Sequence, residues 1–363
     1  MLKTAAAAPF LRELAFGAQT IHSSSPGKPG IPGLFPGKVI GVEDQRSIAS
    51  GKYNAEVINA MMRRGMKELT SADDWAGAWK LFFEKGDVVG IKVNPVGQPL
   101  VISAPEVMHV ILDGLAAAGI PNKDIIVYDR YQDQFLGGGF DKWLPDGVRT
   151  SYAAKRNDGI QLDISGYDRD HYVEMALTNP GYANDERARK SFAANFITKQ
   201  VNKVINLCVL KDHQSAGITL ALKNLSHGLV NNVSRSHPTI SQNTCNAFIP
   251  AIVQMPVIRN KVVLNILDGV KGVYHGGPGA RPEFVWEHHT MYFATDPVAL
   301  DHVGWTKIDE KRLAVGKKKL VEDTPDQYST YIHRQPEHVE IAGALGLGVW
   351  EWNRIQYKQI KLG

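Results

Sequence analysis

Residues 86–130 read GDVVGIKVNPVGQPLVISAPEVMHVILDGLAAAGIPNKDIIVYDR, and the order of patterns in this stretch decides the fold. Gly86-Asp87 leads into Val88–Val93, a β-branched run of strand length. Asn94-Pro95 ends it, because proline has no N–H to give to a ladder. Ser103 is placed to cap a helix with Pro105 in its first turn, running to Ala118 and closed by Gly119. Asp124–Tyr128 (DIIVY) is a second buried strand ending at Asp129-Arg130. Strand, helix and strand with short connections predict a parallel, right-handed βαβ unit.

The same alternation extends outward. Lys38–Val42 is a short apolar run, and Asn54–Leu69 carries Val57, Ile58, Met61, Met62, Met66 and Leu69 at helical spacing behind the candidate cap Asn54. Beyond the unit, Lys203–Leu210 (KVINLCVL) reads as a strand, followed by Lys211-Asp212-His213 and a helical stretch from Thr219 to Leu229. Lys261–Leu267 and Thr290–Ala294 read as further strands, the second ending at Asp296-Pro297 before a helix through Val303. Residues 338–345 look helical and Arg354–Leu362 looks like a closing edge strand. The expected fold is α/β: a mostly parallel sheet flanked by helices, in two α/β halves (38–150 and 201–363) with an irregular insertion at 151–200 between them.

The chain has 363 residues, 44% hydrophobic and 21% charged, which excludes disordered, collagenous and coiled-coil classes. Its net charge of +4 is scattered, with Lys317–Lys319 the one short basic run, so no nucleic-acid partner is expected. No apolar run reaches the length of a membrane span. Two cysteines, Cys208 and Cys245, exclude a four-cysteine zinc or iron–sulfur site built from this chain. They are either one bridge in an exported protein or, as commonly found, small core residues. Residues 1–18 (MLKTAAAAPFLRELAFGA) have the order of an export signal: basic, Ala-rich apolar, small-residue ending. Met1-Leu2-Lys3 stands where a twin-arginine pair would end, which places the expected start codon upstream and the mature start near Ala18. Ser23–Gly37 holds four prolines and four glycines in fifteen residues, so 19–37 reads as a linker and the chain as exported, in a periplasm-like compartment.

In open parallel sheets ligands bind beyond the carboxyl ends of the strands. Those ends here supply Lys92 and Asn94, Asp129 and Arg130, Lys211 with Asp212 and His213, Asp268, and Asp296. Lys92 and Lys223 stand inside apolar runs, where burying an unpaired charge is expensive, and Asn224 adjoins the second. Lysines converging in a partly dry cleft suit a phosphate or carboxylate. Lys92, Lys211, His213, Lys223 and His227 are the candidate catalytic residues, and Asn94, Asp129, Arg130, Asn224 and Asp296 the candidate ligand-binding ones. His213, His227 and His237 form a candidate transition-metal set, although spacings of 14 and 10 match no compact zinc motif. His275-Gly276-Gly277-Pro278-Gly279 brings backbone amides together but lacks GxGxxG order and a Walker lysine.

At GDVVGIKVN, DIIVYDR, VINLCVLKDHQSAGITLALKNLSHGLV, KVVLNILDGVKGVYHGGP, TDPVALDHVGW and IAGALGLG, from about Gly86 to Gly348, the sequence resembles the domain-of-unknown-function family 362. That resemblance implies an α/β fold and, for many members, a twin-arginine leader. Some relatives carry a fused ferredoxin-type domain, whose cysteines are absent here, so no resident iron–sulfur cluster is expected. The leading expectation is an enzyme-like protein whose Lys/His cleft takes a small anionic substrate or cofactor, with His213 and His227 moving protons or holding a metal. The alternative is a noncatalytic binding or maturation protein serving a periplasmic redox partner.

Overall fold

The computed structural model describes residues 27–363 apart from 160, 180 and 183, so the export-signal reading of 1–18 lies outside the described residues. One nine-stranded sheet runs through the molecule. Its main path, in spatial order, is Gln356–Lys361, Lys38–Glu43, Val285–Ala294, Val262–Val273, Lys203–His213, Val89–Lys92, Ile125–Tyr128 and Arg149–Ser151, and Gly217–Thr219 pairs back onto Lys203–His213. From Val262–Val273 to Arg149–Ser151 every neighbouring pair on this path is parallel. Val285–Ala294 is antiparallel to both of its neighbours. The two expected halves therefore share a single sheet, with Lys203–His213 paired directly to Val89–Lys92 of the βαβ unit.

Because successive side chains of a strand point to opposite faces, the buried strands feed two cores. Ile125, Val127, Ile205 and Leu207 pack with Met61, Met62 and Met66 of the helix Ala55–Thr70 and with Val107, Ile111 and Leu115 of Pro105–Ala117. Ile126, Tyr128, Val204 and Cys208 pack on the other face against Leu222 and Leu225 of Ala221–Leu229, Phe248 of Cys245–Val253 and Val303 of Pro297–Ala314. Asn54 caps its helix as expected, accepting the Val57 N–H. Ser103 does not cap Pro105–Ala117; its hydroxyl is taken by Asn94 N and Leu207 O, and the Asp268 carboxylate accepts the Ala104 N–H instead. The helix has no side-chain cap, and Pro105 at its first position removes one of the N–H groups a cap would serve. Both cysteines are free, buried thiols, in line with the core-residue reading.

Two expectations about irregular segments change. The Pro/Gly-rich stretch is docked from residue 27 onward: Ile31 is buried, its N–H donates to Arg259 O, and Phe35 N and Gly37 N bond Thr295 Oγ1 and Asp296. Lack of regular structure in that stretch does not prevent packing, because folded neighbours satisfy its backbone. The insertion is in part ordered: Arg149–Ser151 joins the main sheet, and Tyr167–Glu174 pairs antiparallel with Lys190–Ala194 as a separate ribbon. That ribbon is pinned by Arg235, fully buried, whose guanidinium donates to Val173 O, Met175 O, Leu177 O, Arg189 O and Ser191 Oγ. Arg235→Met leaves several buried carbonyls unpaired at about 1–3 kcal/mol each. Hydrogen exchange is expected to speed up in 167–194 before the main sheet, and unchanged ribbon protection would contradict the role.

Candidate functional site

A cavity of about 330 Å³ lies beyond the carboxyl ends of the parallel strands. Its walls include Lys92, Asn94, Asp129, Arg130, His213, Lys223, Asn224, His227 and His237, nine of the eleven residues expected from sequence. An adjoining hollow of about 450 Å³ shares Tyr131 and Gln161, but its charged residues, Lys155, Arg156, Asp158 and Asp163, are exposed, where water already solvates them.

The cavity wall is a hydrogen-bonded array between strand ends. Lys92 Nζ lies 2.5 Å from Asp129 Oδ1, both side chains buried, and donates to Asn224 Oδ1 at 3.2 Å. Asn224 Oδ1 also accepts from Asn94 Nδ2, and its own amide donates to Asn206 Oδ1 deeper in the sheet. Asn94 and Asn224 thus use their amide groups mainly to hold the wall together. Lys211 does not line the cavity. Its ammonium donates to Asn94 Oδ1 at 2.7 Å and to Val96 O, fixing the loop behind the wall. Burial, then the Lys223 and Lys92 charges, push its pKa down to about 7. Strand-end location alone does not tell which way a side chain points, and that of Lys211 reaches the loop behind the wall rather than the cavity.

Asp296 is absent from the site. It follows Val285–Ala294, whose direction is antiparallel to the strands carrying the cavity, so its end falls at the opposite edge of the sheet. There it caps Pro297–Ala314, accepting Val298 N, Ala299 N, Gly37 N and Val349 N. Four N–H donors occupy a carboxylate completely.

The helix Ala221–Leu229 carries Lys223, Asn224 and His227 to the cavity without a side-chain cap of its own. Asp301 supplies one from another helix, accepting Ala221 N at 2.7 Å and Leu222 N at 2.9 Å. The helix ends close to Lys92: a Cβ on Gly228 would stand 2.0 Å from Lys92 Cε, so glycine is what admits the approach. Tyr128 Oη and Arg130 donate to the Gly228 and Val230 carbonyls, the favourable end of the helix dipole for a cation.

Lys223 is 7% exposed and, among the described residues, its ammonium has neither a hydrogen bond nor an ion pair. Burial pushes its pKa down to about 8. Arg130 has no carboxylate partner among the described residues either; it lies over the Tyr131 ring at 4.2 Å. Among the described residues Asp129 is the single carboxylate in the walls, and with it engaged by Lys92 they leave two positive charges in excess, Lys223 and Arg130. Burial, followed by the Lys223 charge, keeps the imidazoles neutral: His213 and His227 lie well below the usual range and His237 at about 3. His213 Nδ1 accepts the Ser215 and Ala216 N–H groups at 3.1 and 3.2 Å, which puts the proton of the neutral ring on Nε2. Nε2–H is therefore a donor, and His213 is not among the side chains whose metal-ligating atoms converge in the described residues. Its place is taken by Cys245, which has a donor atom within reach of those of His227 and His237. Sequence spacing gave no sign of it, since Cys245 opens a later helix and meets the histidines only in the fold.

Two solved structures resemble the chain remotely. One is a protein of Thermotoga maritima, 9% identical, with a TM-score of 0.40, covering 74% of this chain and 61% of that one. The other is the lactate racemase apoprotein of Thermoanaerobacterium thermosaccharolyticum, 10% identical, with a TM-score of 0.36, covering 67% of this chain and 53% of that one. The chain thus spans less than two thirds of either protein's length. No curated protein matches the sequence. The family model for the domain of unknown function DUF362 matches residues 89–306, from the first strand of the βαβ unit into the helix Pro297–Ala314, and the chain belongs to that family.

Proposed function

We propose that the cavity binds a small molecule through a carboxylate or phosphate group and acts on it as an enzyme would, with Lys223 and Arg130 neutralising the anion. The observation that carries this reading is the Lys223 ammonium, buried in the cavity wall without a partner among the described residues. A charge so placed costs free energy that an incoming anion recovers. His213 Nε2–H adds a neutral donor to an oxyanion. Lys223 lines the cavity and, with a pKa of about 8, is able to exchange a proton near neutral pH. A bare binding patch would have no need of a buried Lys92–Asp129 pair beside two lysines of lowered pKa, which favours the enzyme reading over that of a passive binding or maturation protein.

Titration with sulfate, phosphate and oxalate tests the reading. Sulfate does not titrate between pH 6 and 10, so the pH profile of its affinity reports the protein. Affinity is expected to fall most steeply above pH 8, approaching tenfold per unit, as Lys223 loses its proton. Failure of all three anions to bind one per chain, or an affinity unchanged to pH 10, would count against the assignment.

A further inference from the structure

One group of side chains at the cavity margin is not needed for holding an anion. His227 lies on the helix Ala221–Leu229, His237 just after the turn Ser234–Ser236, and Cys245 at the start of Cys245–Val253. One donor atom from each lies within 4.8 Å of the other two. The two imidazoles, 5.6 Å apart between ring centres, line the cavity, while Cys245 is wholly buried and does not. Ser236 Oγ stands among all three, 3.2 Å from His227 Nε2, 2.7 Å from His237 Nδ1 and 3.8 Å from Cys245 Sγ. It also donates to Val233 O at 2.7 Å. The hydroxyl therefore marks a point on which two nitrogens and one sulfur converge.

We propose that His227, His237 and Cys245 form a three-ligand site for a borderline transition-metal ion of the Zn²⁺ class, with its fourth position open to the cavity. Two neutral imidazoles and a thiolate are a nitrogen–sulfur set that hard, oxygen-seeking Mg²⁺ and Ca²⁺ do not favour. Three protein ligands with one open position is the arrangement of catalytic zinc rather than of closed structural zinc. Bonds of about 2.0–2.3 Å require the donors to draw in by roughly 1 Å. Rotation of Ser236 about Cα–Cβ clears the centre, and the Cys245 thiol releases its proton to solvent as the metal–sulfur bond forms. Lys223 precedes His227 by one helical turn, so an anion held by that ammonium can also reach the open position. The metal site itself does not depend on the anion reading.

Cobalt(II) is the probe, because a thiolate bound to it gives a sulfur-to-metal charge-transfer band in the near ultraviolet and a tetrahedral site gives intense visible bands. The full chain, purified without affinity metal and stripped of metal, is expected to take up one Co²⁺ and to show both features. Cys245→Ser preserves size and is expected to keep the far-ultraviolet circular dichroism of the parent while losing the charge-transfer band. His237→Ala is expected to lose stoichiometric uptake. Uptake well below one ion per chain, uptake without the charge-transfer band, or a band that survives in Cys245→Ser would each overturn the proposal. Sulfate titration of the metal-stripped chain, run in parallel, reports on the anion cleft separately, so failure of one reading is not mistaken for failure of the other.

Discussion

Lys223→Met is expected to stabilise the protein while abolishing anion binding. The ammonium is buried and unpaired among the described residues, and its pKa of about 8 lies below the ordinary lysine value of 10.5. A lysine whose pKa is depressed by folding binds fewer protons in the native than in the unfolded chain between those two values. Its cost is present in full below pH 8 and fades as pH rises towards 10.5. A depression of that size corresponds to about 2–4 kcal/mol. Methionine keeps the length of the stem and removes the charge, so denaturant unfolding at pH 7 is expected to show a gain of that order, shrinking by pH 10. Affinity for sulfate is expected to drop by about a hundredfold or more, the loss of one charge-assisted contact. A variant that gains stability and still binds as the parent does would break the link between the buried charge and the ligand. Loss of both stability and binding would mean that Lys223 has a structural counter-ion.

Asp129→Ala is expected to do the reverse to stability. Lys92 and Asp129 meet at 2.5 Å with both side chains buried, and removing the carboxylate leaves Lys92 with neutral partners only. Breaking such a pair costs about 3–5 kcal/mol, whereas replacing both members with apolar residues of similar volume is often close to neutral. Lys92→Met combined with Asp129→Leu is therefore expected to recover most of the loss, and chemical denaturation of the two single variants and the double variant measures it. A double variant as unstable as the sum of the singles would show that the pair is not coupled as the geometry implies. In cavity terms the pair is the neutral floor of the site, and Lys223 and Arg130 supply the excess charge.

These two residues illustrate what the sequence makes legible. Lys92 and Lys223 are conspicuous because lysine inside an apolar run has to be explained by a partner or a ligand, and the structure separates the two cases: Lys92 has its carboxylate, and Lys223 has none among the described residues. The βαβ unit was legible because strand and helix periods, proline and glycine all agreed over one short stretch. The cavity followed from strand ends, but only where strands are parallel. Asp296 was misplaced because nothing in Thr290–Ala294 reveals strand direction, which is set by the Val262–Val273 partner rather than by local pattern. The contact of Lys211 with Asn94 and Val96 crosses more than a hundred residues of chain, so its sequence position does not reveal that it lies behind the wall. Cys245 was missed for the same reason, since donors supplied by three separate segments leave no spacing to read. The docked stretch after residue 27 shows that Pro/Gly density predicts the absence of regular structure, not the absence of contacts such as those of Ile31 and Phe35.

The most direct test of the central claim, that an unpaired buried ammonium makes this cavity an oxyanion site, is a crystal structure of the protein grown with selenate, whose selenium is located by anomalous scattering. The account predicts a selenate in the cavity with oxygens about 3 Å from Lys223 Nζ and His213 Nε2. Selenate found only on the outer surface, with the cavity holding water alone at a concentration well above solution saturation, would contradict it.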